Sequence, residues 1–226
     1  MIETSTLEKA AHSGISRRRF FGYAGALAGA GILISTTGCQ KEEDPGINLG
    51  AGDSGVFNYL YTLEQLNAAF YIRVMTTPFN GMNATEEAYF KDIRNHEIAH
   101  REFFKNLLGG AAIIALEFDF SSIDFAKRTS VLDTAIMFED LGVSAYNGAA
   151  QLLTSVENLT VVAKIASVEA RHAAALRDLK LAGTFADNTV VNDANGWDLA
   201  AVPDYVLAIA SPYIKTKLNY TNLPKG

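Results

Sequence analysis

The segment RNHEIAHREFF, residues 94–104, contains a spacing that returns later in the chain. Glu97 and His100 stand three residues apart, and the same Glu-x-x-His spacing recurs at Glu169 and His172 in the segment VEARH. Residues three apart on an α-helix lie one turn from each other on nearly the same face. If both segments are helical, each presents a carboxylate and an imidazole in one direction.

The periodicity of the surrounding sequence indicates helices. Apolar residues recur at three- and four-residue spacing, as in amphipathic helices, over about 53–75, 83–108, 124–154 and 156–182. Short connections within the first and the second pair favour antiparallel neighbours. The apolar segment AAIIALEFDFSSI, residues 111–123, is long enough to cross the full height of a bundle. We therefore predict an all-α four-helix bundle over 53–183, with a long crossover between its second and third helices.

The remaining C-terminal residues, 184–226, are polar and rich in turn-forming residues. A short helix is predicted at about 203–209, before the Pro at position 212. We expect this extension to pack on the outside of the bundle.

The first and third predicted helices also resemble each other. LEQLNAAFY, residues 63–71, and FEDLGVSAY, residues 138–146, both place a Glu after an apolar residue and a Tyr seven places after that Glu. The glutamates are Glu64 and Glu139, and each precedes a Glu-x-x-His helix by a similar distance. The chain is therefore two copies of a helix pair, one helix with Glu and one with Glu-x-x-His.

This repeat would place four carboxylates and two imidazoles inside one bundle. Four buried carboxylates without cations would repel one another and lose their hydration, and two divalent metal ions would remove that cost. Mixed oxygen and nitrogen donors favour iron or manganese over a closed zinc site. We expect Glu97 and Glu169 to bridge the metals. The predicted ligands are Glu64, Glu97, His100, Glu139, Glu169 and His172.

Tyr71 and Tyr146 lie two helical turns after Glu64 and Glu139. Such tyrosines are either core aromatics or hydrogen-bond donors and redox-active groups beside the metals.

The stretch around His96 has a second interpretation. His96-Glu97-x-x-His100 also matches the H-E-x-x-H pattern of zinc metallopeptidases, in which Glu97 would act as a general base. That site would need a third ligand, for which Glu117 is conceivable. In the repeat, however, Val168 stands where His96 stands here. We therefore expect His96 to be a solvated neighbour at the edge of the helix.

With these residues in place, the chain resembles the ferritin-like superfamily, and within it the exported ferritin-like domain proteins related to desiccation-associated proteins. The resemblance covers about 56–183 and rests on LEQLNAAFY, EIAH, EFDF, FEDLGVSAY and VEARHAAAL. The later segment DANGWDLA is similar to the tail of that group. The resemblance implies a four-helix bundle with the same six ligands, and it leaves the reaction open.

Residues 1–39 have the features of an export signal. The segment SRRRFF, residues 16–21, resembles a twin-arginine signal and precedes a Gly- and Ala-rich apolar stretch. An ordinary secretory signal with additional arginines is the alternative. We predict that the protein is exported and faces the periplasm or the cell surface.

Cys39 is the only cysteine, so no intramolecular disulfide can form. TTGC, residues 36–39, resembles a bacterial lipobox, which predicts lipidation of Cys39 and a polar tether over residues 40–52. A free thiol without a further role is the alternative.

Charge excludes one class of partner. The chain has a net charge of −6, and its Lys and Arg side chains do not cluster after the signal, which argues against nucleic acid. The leading hypothesis is an extracytoplasmic dimetal oxidoreductase acting on dioxygen, hydrogen peroxide or ferrous iron. The alternative is a metal-binding stress or surface protein without turnover. Expected partners are a membrane, through the lipid anchor, and a small-molecule oxidant or metal ion; a homodimer is also possible.

Overall fold

The computed structural model describes residues 45–225, which form a four-helix bundle with a C-terminal extension. Helices α1 and α2 pack along each other, as do α3 and α4, and the two pairs meet through α1–α3 and α2–α4 contacts. The predicted all-α four-helix bundle is confirmed. The five α-helices of the described residues are α1 (Gly52–Thr76), α2 (Ala84–Leu108), α3 (Arg128–Ala150), α4 (Val156–Lys180) and α5 (Pro203–Ala210).

Within residues 45–225, two small sheets lie outside the bundle. In the first, β1 is parallel to β4, and in the second, β2 is antiparallel to β3. The strands are β1 (Ile47–Asn48), β2 (Val191–Asn192), β3 (Trp197–Asp198) and β4 (Leu218–Asn219). Strand β1 lies within the segment predicted as a tether, and Leu49, which follows it, is fully buried. The chain is thus packed from about residue 47 onwards, because burial of the Leu49 side chain in the apolar core stabilises this segment.

Helix α1 is buried on most of its circumference, and its buried amides hold the crossover. The Asn58 side chain donates to the carbonyl of Ala111 at 2.9 Å and accepts from the backbone N–H of Ile113 at 3.0 Å. The Gln65 side chain accepts from the N–H of Leu116 at 2.9 Å. Buried backbone groups of the non-helical crossover therefore find their partners on α1.

Helix α2 begins with a capping box formed by Asn83 and Glu86. Glu86 is buried and also accepts a hydrogen bond from the Arg128 guanidinium, which donates to the carbonyl of Leu179 at 3.0 Å. This set of contacts joins the starts of α2 and α3 to the end of α4.

Helix α3 is shorter than the predicted 124–154. Residues before Arg128 form a turn instead, in which the Asp124 carboxylate accepts from the N–H of Ala126 at 3.1 Å. The side chains of Asp and Ser residues compete with helix hydrogen bonding, and this competition moves the start of α3 by four residues.

The connection between α3 and α4 is fixed by Asp53 at the start of α1. Its carboxylate accepts from the backbone N–H groups of Thr154 at 2.9 Å and Ser155 at 3.2 Å, and from the Asn158 amide at 2.7 Å. The hydrogen bonds from Thr154 and Asn158 lower the pKa of Asp53 to about 2. The chain therefore leaves the helix at Ala150 to meet α1.

The C-terminal extension covers one side of α3. The N–H of Ala201 donates to the carbonyl of Ser144 at 2.9 Å, and the ring of Tyr213 packs edge-on against Phe138 at 4.9 Å. The extension also bonds to the crossover, where the N–H of Asp119 donates to the carbonyl of Tyr213.

The predicted export signal, Cys39 and the first part of the tether lie outside the described residues. Among residues 45–225, no helix is both long and apolar enough to span a membrane.

Candidate metal centre

The six predicted ligands meet in the interior of the bundle, where they form two overlapping groups. Within each group, the candidate ligand atoms lie within 4.8 Å of one another. Glu97 and Glu169 belong to both groups, which is the arrangement expected of carboxylates shared by two metals. The first group is Glu64, Glu97, His100 and Glu169, and the second is Glu97, Glu139, Glu169 and His172.

Each histidine lies closest to a glutamate of the other helix pair. In the first group, His100 Nδ1 is 2.9 Å from Glu169 Oε1 and 3.6 Å from Glu64 Oε2. In the second group, His172 Nδ1 is 3.0 Å from Glu97 Oε1, and 3.3 Å from an oxygen of Glu139. Each group therefore contains residues of both helix pairs.

The donor atoms are buried but not hydrogen-bonded to one another. Both oxygens of Glu97, Glu139 and Glu169 and the Nδ1 atoms of both histidines have no hydrogen-bond partner among the described residues. Their short contacts lack hydrogen-bond geometry. Buried polar groups are nearly always paired, and orphaned carboxylates cost several kcal/mol. The donor set therefore fits bound divalent cations.

The electrostatics of the cluster lead to the same conclusion. Burial and the nearby charges of Glu139 and Glu64 raise the pKa of Glu97 well above its usual range. Burial and the charges of Glu97 and Glu64 do the same to the pKa of Glu169. Burial alone would lower the pKa of His172, but Glu139 and Glu97 raise it to about 10. Without metal, protons on Glu97, Glu169 and His172 offset the negative charge that bound cations would otherwise balance.

The two predicted tyrosines reach across the helix pairs. The hydroxyl of Tyr146, on α3, donates to Glu64, on α1. Tyr71, on α1, lies beside Glu139, on α3, but its hydroxyl has no hydrogen-bond partner among the described residues. Burial, followed by the charge of Glu139, raises the pKa of Tyr71, and burial and Glu64 raise that of Tyr146.

His96 differs from the expectation of a merely solvated neighbour. Its ring is exposed, yet its Nδ1 lies 2.9 Å from Nε2 of His172, and the two rings are nearly parallel. Burial and the charge of His172 lower the pKa of His96. Comparison with Val168 concealed this contact, because a repeat alignment does not show neighbours on another helix. The spacing of four between His96 and His100, which puts them on one helix face, was the available signal.

The structure does not bring together the ligands that the zinc-peptidase alternative requires. Among the described residues, neither His96 nor Glu117 belongs to a group of candidate metal ligands. Glu117 is exposed in the crossover, where its backbone bonds to Lys215 and Thr216. Glu97 instead belongs to both groups, which fits a shared ligand better than a free general base.

A cavity of about 1020 Å³ lies outside this cluster, between α3, α4 and the extension. Its lining is mostly apolar and includes Met137, Leu141, Ala173 and Val202. None of the six predicted ligands lines it. The cavity is therefore separate from the buried cluster.

The fold and the site together define a helical-bundle protein with a buried carboxylate–histidine cluster that is compatible with a dimetal centre. The chain belongs to the family described as Ferritin-like domain, whose sequence model matches residues 52–181. No curated protein matches the chain.

Proposed function

We propose that this chain is an extracytoplasmic protein that holds two divalent iron or manganese ions and reacts with dioxygen, hydrogen peroxide or ferrous iron. The observation that carries the proposal is the convergence of six donor side chains, five of them buried and His100 partly buried, each with a buried ligand atom that lacks a hydrogen-bond partner. Nitrogen and carboxylate donors in this ratio suit iron and manganese.

The residues divide into shared and terminal ligands. Glu97 and Glu169 would bridge the two ions, Glu64 and His100 would complete one position, and the second would be completed by Glu139 and His172. When bound, the metals supply the electrons and an open coordination position for the oxidant.

The protein surroundings prepare the centre for this chemistry. The glutamate side chains of the cluster are at most 1% exposed, so bulk water is excluded from the carboxylates. Tyr146 holds one oxygen of Glu64 and leaves the other, which has no hydrogen-bond partner, for the metal.

Reconstitution tests the proposal. The full-length chain would be stripped of metal with a chelator, loaded with Fe²⁺ or Mn²⁺ without oxygen, and analysed for metal content. We expect two equivalents of metal per chain. With Fe²⁺ in excess and hydrogen peroxide, two ferrous ions lose one electron each, and one peroxide takes up two electrons and two protons to give two waters. Failure of the wild-type chain to retain either metal would overturn the proposal.

Near-complete burial also favours a second candidate, a metal-binding protein without turnover. The side chains of His172 and His100 are only 6% and 13% exposed, and the large cavity does not include the ligands. Two stably bound metals with neither peroxide consumption nor ferrous oxidation would support this second function over the first.

We further propose that the protein is exported by residues 1–39 and tethered through a lipid on Cys39, as the SRRRFF and TTGC segments indicate. Replacement of Arg17 and Arg18 by Lys should keep the protein in the cytoplasm if the signal is of the twin-arginine type. Cys39→Ser should prevent incorporation of radiolabelled fatty acid and release the exported protein from membranes. Unchanged membrane association of Cys39→Ser would exclude the anchor.

A further inference from the structure

We infer that His96 is a positioning residue for one of the two metals, because it accepts a hydrogen bond from His172 and holds the opposite ring nitrogen of His172 towards the carboxylates. The inference rests on the proposed metal centre. It assigns a role to the histidine that the Glu-x-x-His repeat leaves unexplained.

The geometry of His172 carries the argument. Its Nδ1 faces the cluster, 3.0 Å from Glu97 and 3.3 Å from Glu139. Its Nε2 points away and lies 2.9 Å from Nδ1 of His96. A neutral imidazole that binds a metal through Nδ1 carries its proton on Nε2, so that nitrogen must donate. Nδ1 of His96 is the acceptor it meets.

This hydrogen bond has two consequences for the ligand. His172 is 5% exposed, and a buried N–H without a partner would cost about 1–3 kcal/mol. The bond also prevents the imidazole from turning over and presenting Nε2 to the metal. Partners that orient a metal-binding histidine in this way typically change metal affinity by about 10–100-fold.

The contact between His96 and His172 makes the two proposed metal positions, which are otherwise similar, unequal. The other ligand histidine, His100, belongs to α2, and the place equivalent to His96 in the α4 repeat is the apolar Val168. A valine side chain cannot accept a hydrogen bond. The metal position completed by His172 should therefore depend on residue 96, and the position completed by His100 should not depend on residue 168.

Calorimetric titration of the metal-stripped, full-length chain with Mn²⁺ tests the inference. We expect two binding events in the wild type. In His96→Leu, which keeps bulk but removes the acceptor, one event should weaken by about 10–100-fold and the other should stay unchanged. His96→Asn should restore most of the affinity, because its amide oxygen can accept from Nε2 of His172. The matched control, Val168→Ala, should bind like the wild type.

The outcomes separate this inference from the proposed function. If the wild type binds neither Mn²⁺ nor Fe²⁺, the metal centre itself is wrong. If the wild type binds two ions and His96→Leu binds both with unchanged affinity, the role of His96 is wrong. Equal losses in His96→Leu and His96→Asn, or in Val168→Ala, would also overturn it. The melting temperature of metal-free His96→Leu should also be lower than that of the wild type, because the buried N–H of His172 loses its partner, and His96→Asn should restore most of it.

A second measurement does not depend on the variants. In the chain loaded with diamagnetic Zn²⁺, nitrogen NMR of labelled histidines should show His172 coordinated through Nδ1 and protonated at Nε2. Coordination through Nε2 would overturn the inference.

Discussion

At the residue scale, the hydroxyl of Tyr146 shows how one helix pair supports the ligands of the other. It comes from α3 and donates to Glu64 on α1, and Tyr71 makes the reverse approach from α1 to Glu139. Only the first of these approaches has hydrogen-bond geometry. The two halves of the centre therefore resemble each other in composition but differ in detail.

This difference predicts unequal effects of two matched variants. Tyr146→Phe removes a hydrogen bond to a carboxylate, worth about 1.5–3 kcal/mol, and should weaken one Mn²⁺ binding event by about tenfold or more. Tyr71→Phe removes a hydroxyl without a partner and should change affinity by less than about threefold. Calorimetry on both proteins makes the comparison, and a larger loss in Tyr71→Phe would contradict it.

The shared and terminal glutamates should also respond differently. Glu97→Gln removes a charge that both ligand groups use, so the chain should lose both metals. Glu64→Gln removes a charge from one group, so the chain should keep about one metal. Metal analysis after gel filtration measures the content, with the exposed Glu87→Gln on α2 as the control. Retention of two metals by Glu97→Gln would exclude its bridging role.

The sequence predicted which six side chains would converge, because ligand spacing along a helix follows from the helical repeat. It did not predict the His96–His172 contact, which depends on the packing of α2 against α4 and on side-chain rotamers. Two of the six ligands, Glu64 and Glu139, were accessible only through comparison of the two copies, since a single Glu carries no spacing information.

At the element scale, the close approach of the extension to α3 constrains Gly148. A Cβ atom added there would lie 1.9 Å from the carbonyl oxygen of Ala201. Gly148→Ala should therefore displace the extension and lower the free energy of unfolding by about 1–3 kcal/mol. Urea denaturation measures the loss. Gly110→Ala is the matched control, because no atom lies within 4 Å of its added Cβ. Equal free energies of unfolding for the two variants would show that the extension can move away from residue 148 without loss of stability.

Helix existence was more predictable than helix length. The ends of α2 follow from local signals, the capping box at Asn83 and the glycine at position 109. The C-terminal end of α3 does not, because Asp53, about a hundred residues away in sequence, holds the residues after Ala150. Partners that are distant in the chain have no local sequence signal.

At the scale of the whole molecule, the proton content of the centre predicts how stability depends on pH. The folded pKa values of Glu97, Glu169 and His172 are raised, that of His172 from 6.5 to about 10. A raised folded pKa stabilises the protein fully below the unfolded pKa and loses this contribution as pH rises through the folded pKa. The melting temperature of the metal-free chain should therefore decrease as the pH is raised from about 6.5 to about 10.

Bound metal should reverse this trend, because cations replace the protons and bind more tightly as competition from protons falls. Thermal melts of the chain with excess Mn²⁺, without oxygen, and with chelator would be compared across the lower part of that range. The stabilisation by metal should grow with pH. A metal-free melting temperature that rises with pH would contradict the assigned protonation. His172→Gln, which lacks one of these groups, should show a shallower pH dependence.

Each proposed metal position combines residues of both helix pairs, and this has a consequence for biogenesis. In the proposed metal centre, His100 on α2 would share a metal with Glu169 from α4, and His172 on α4 would share one with Glu97 from α2, so neither metal position would be complete within one half of the chain. A nascent or damaged molecule whose halves have not docked would then lack a complete metal site. The metal content of a preparation would then record what fraction of its molecules has finished folding.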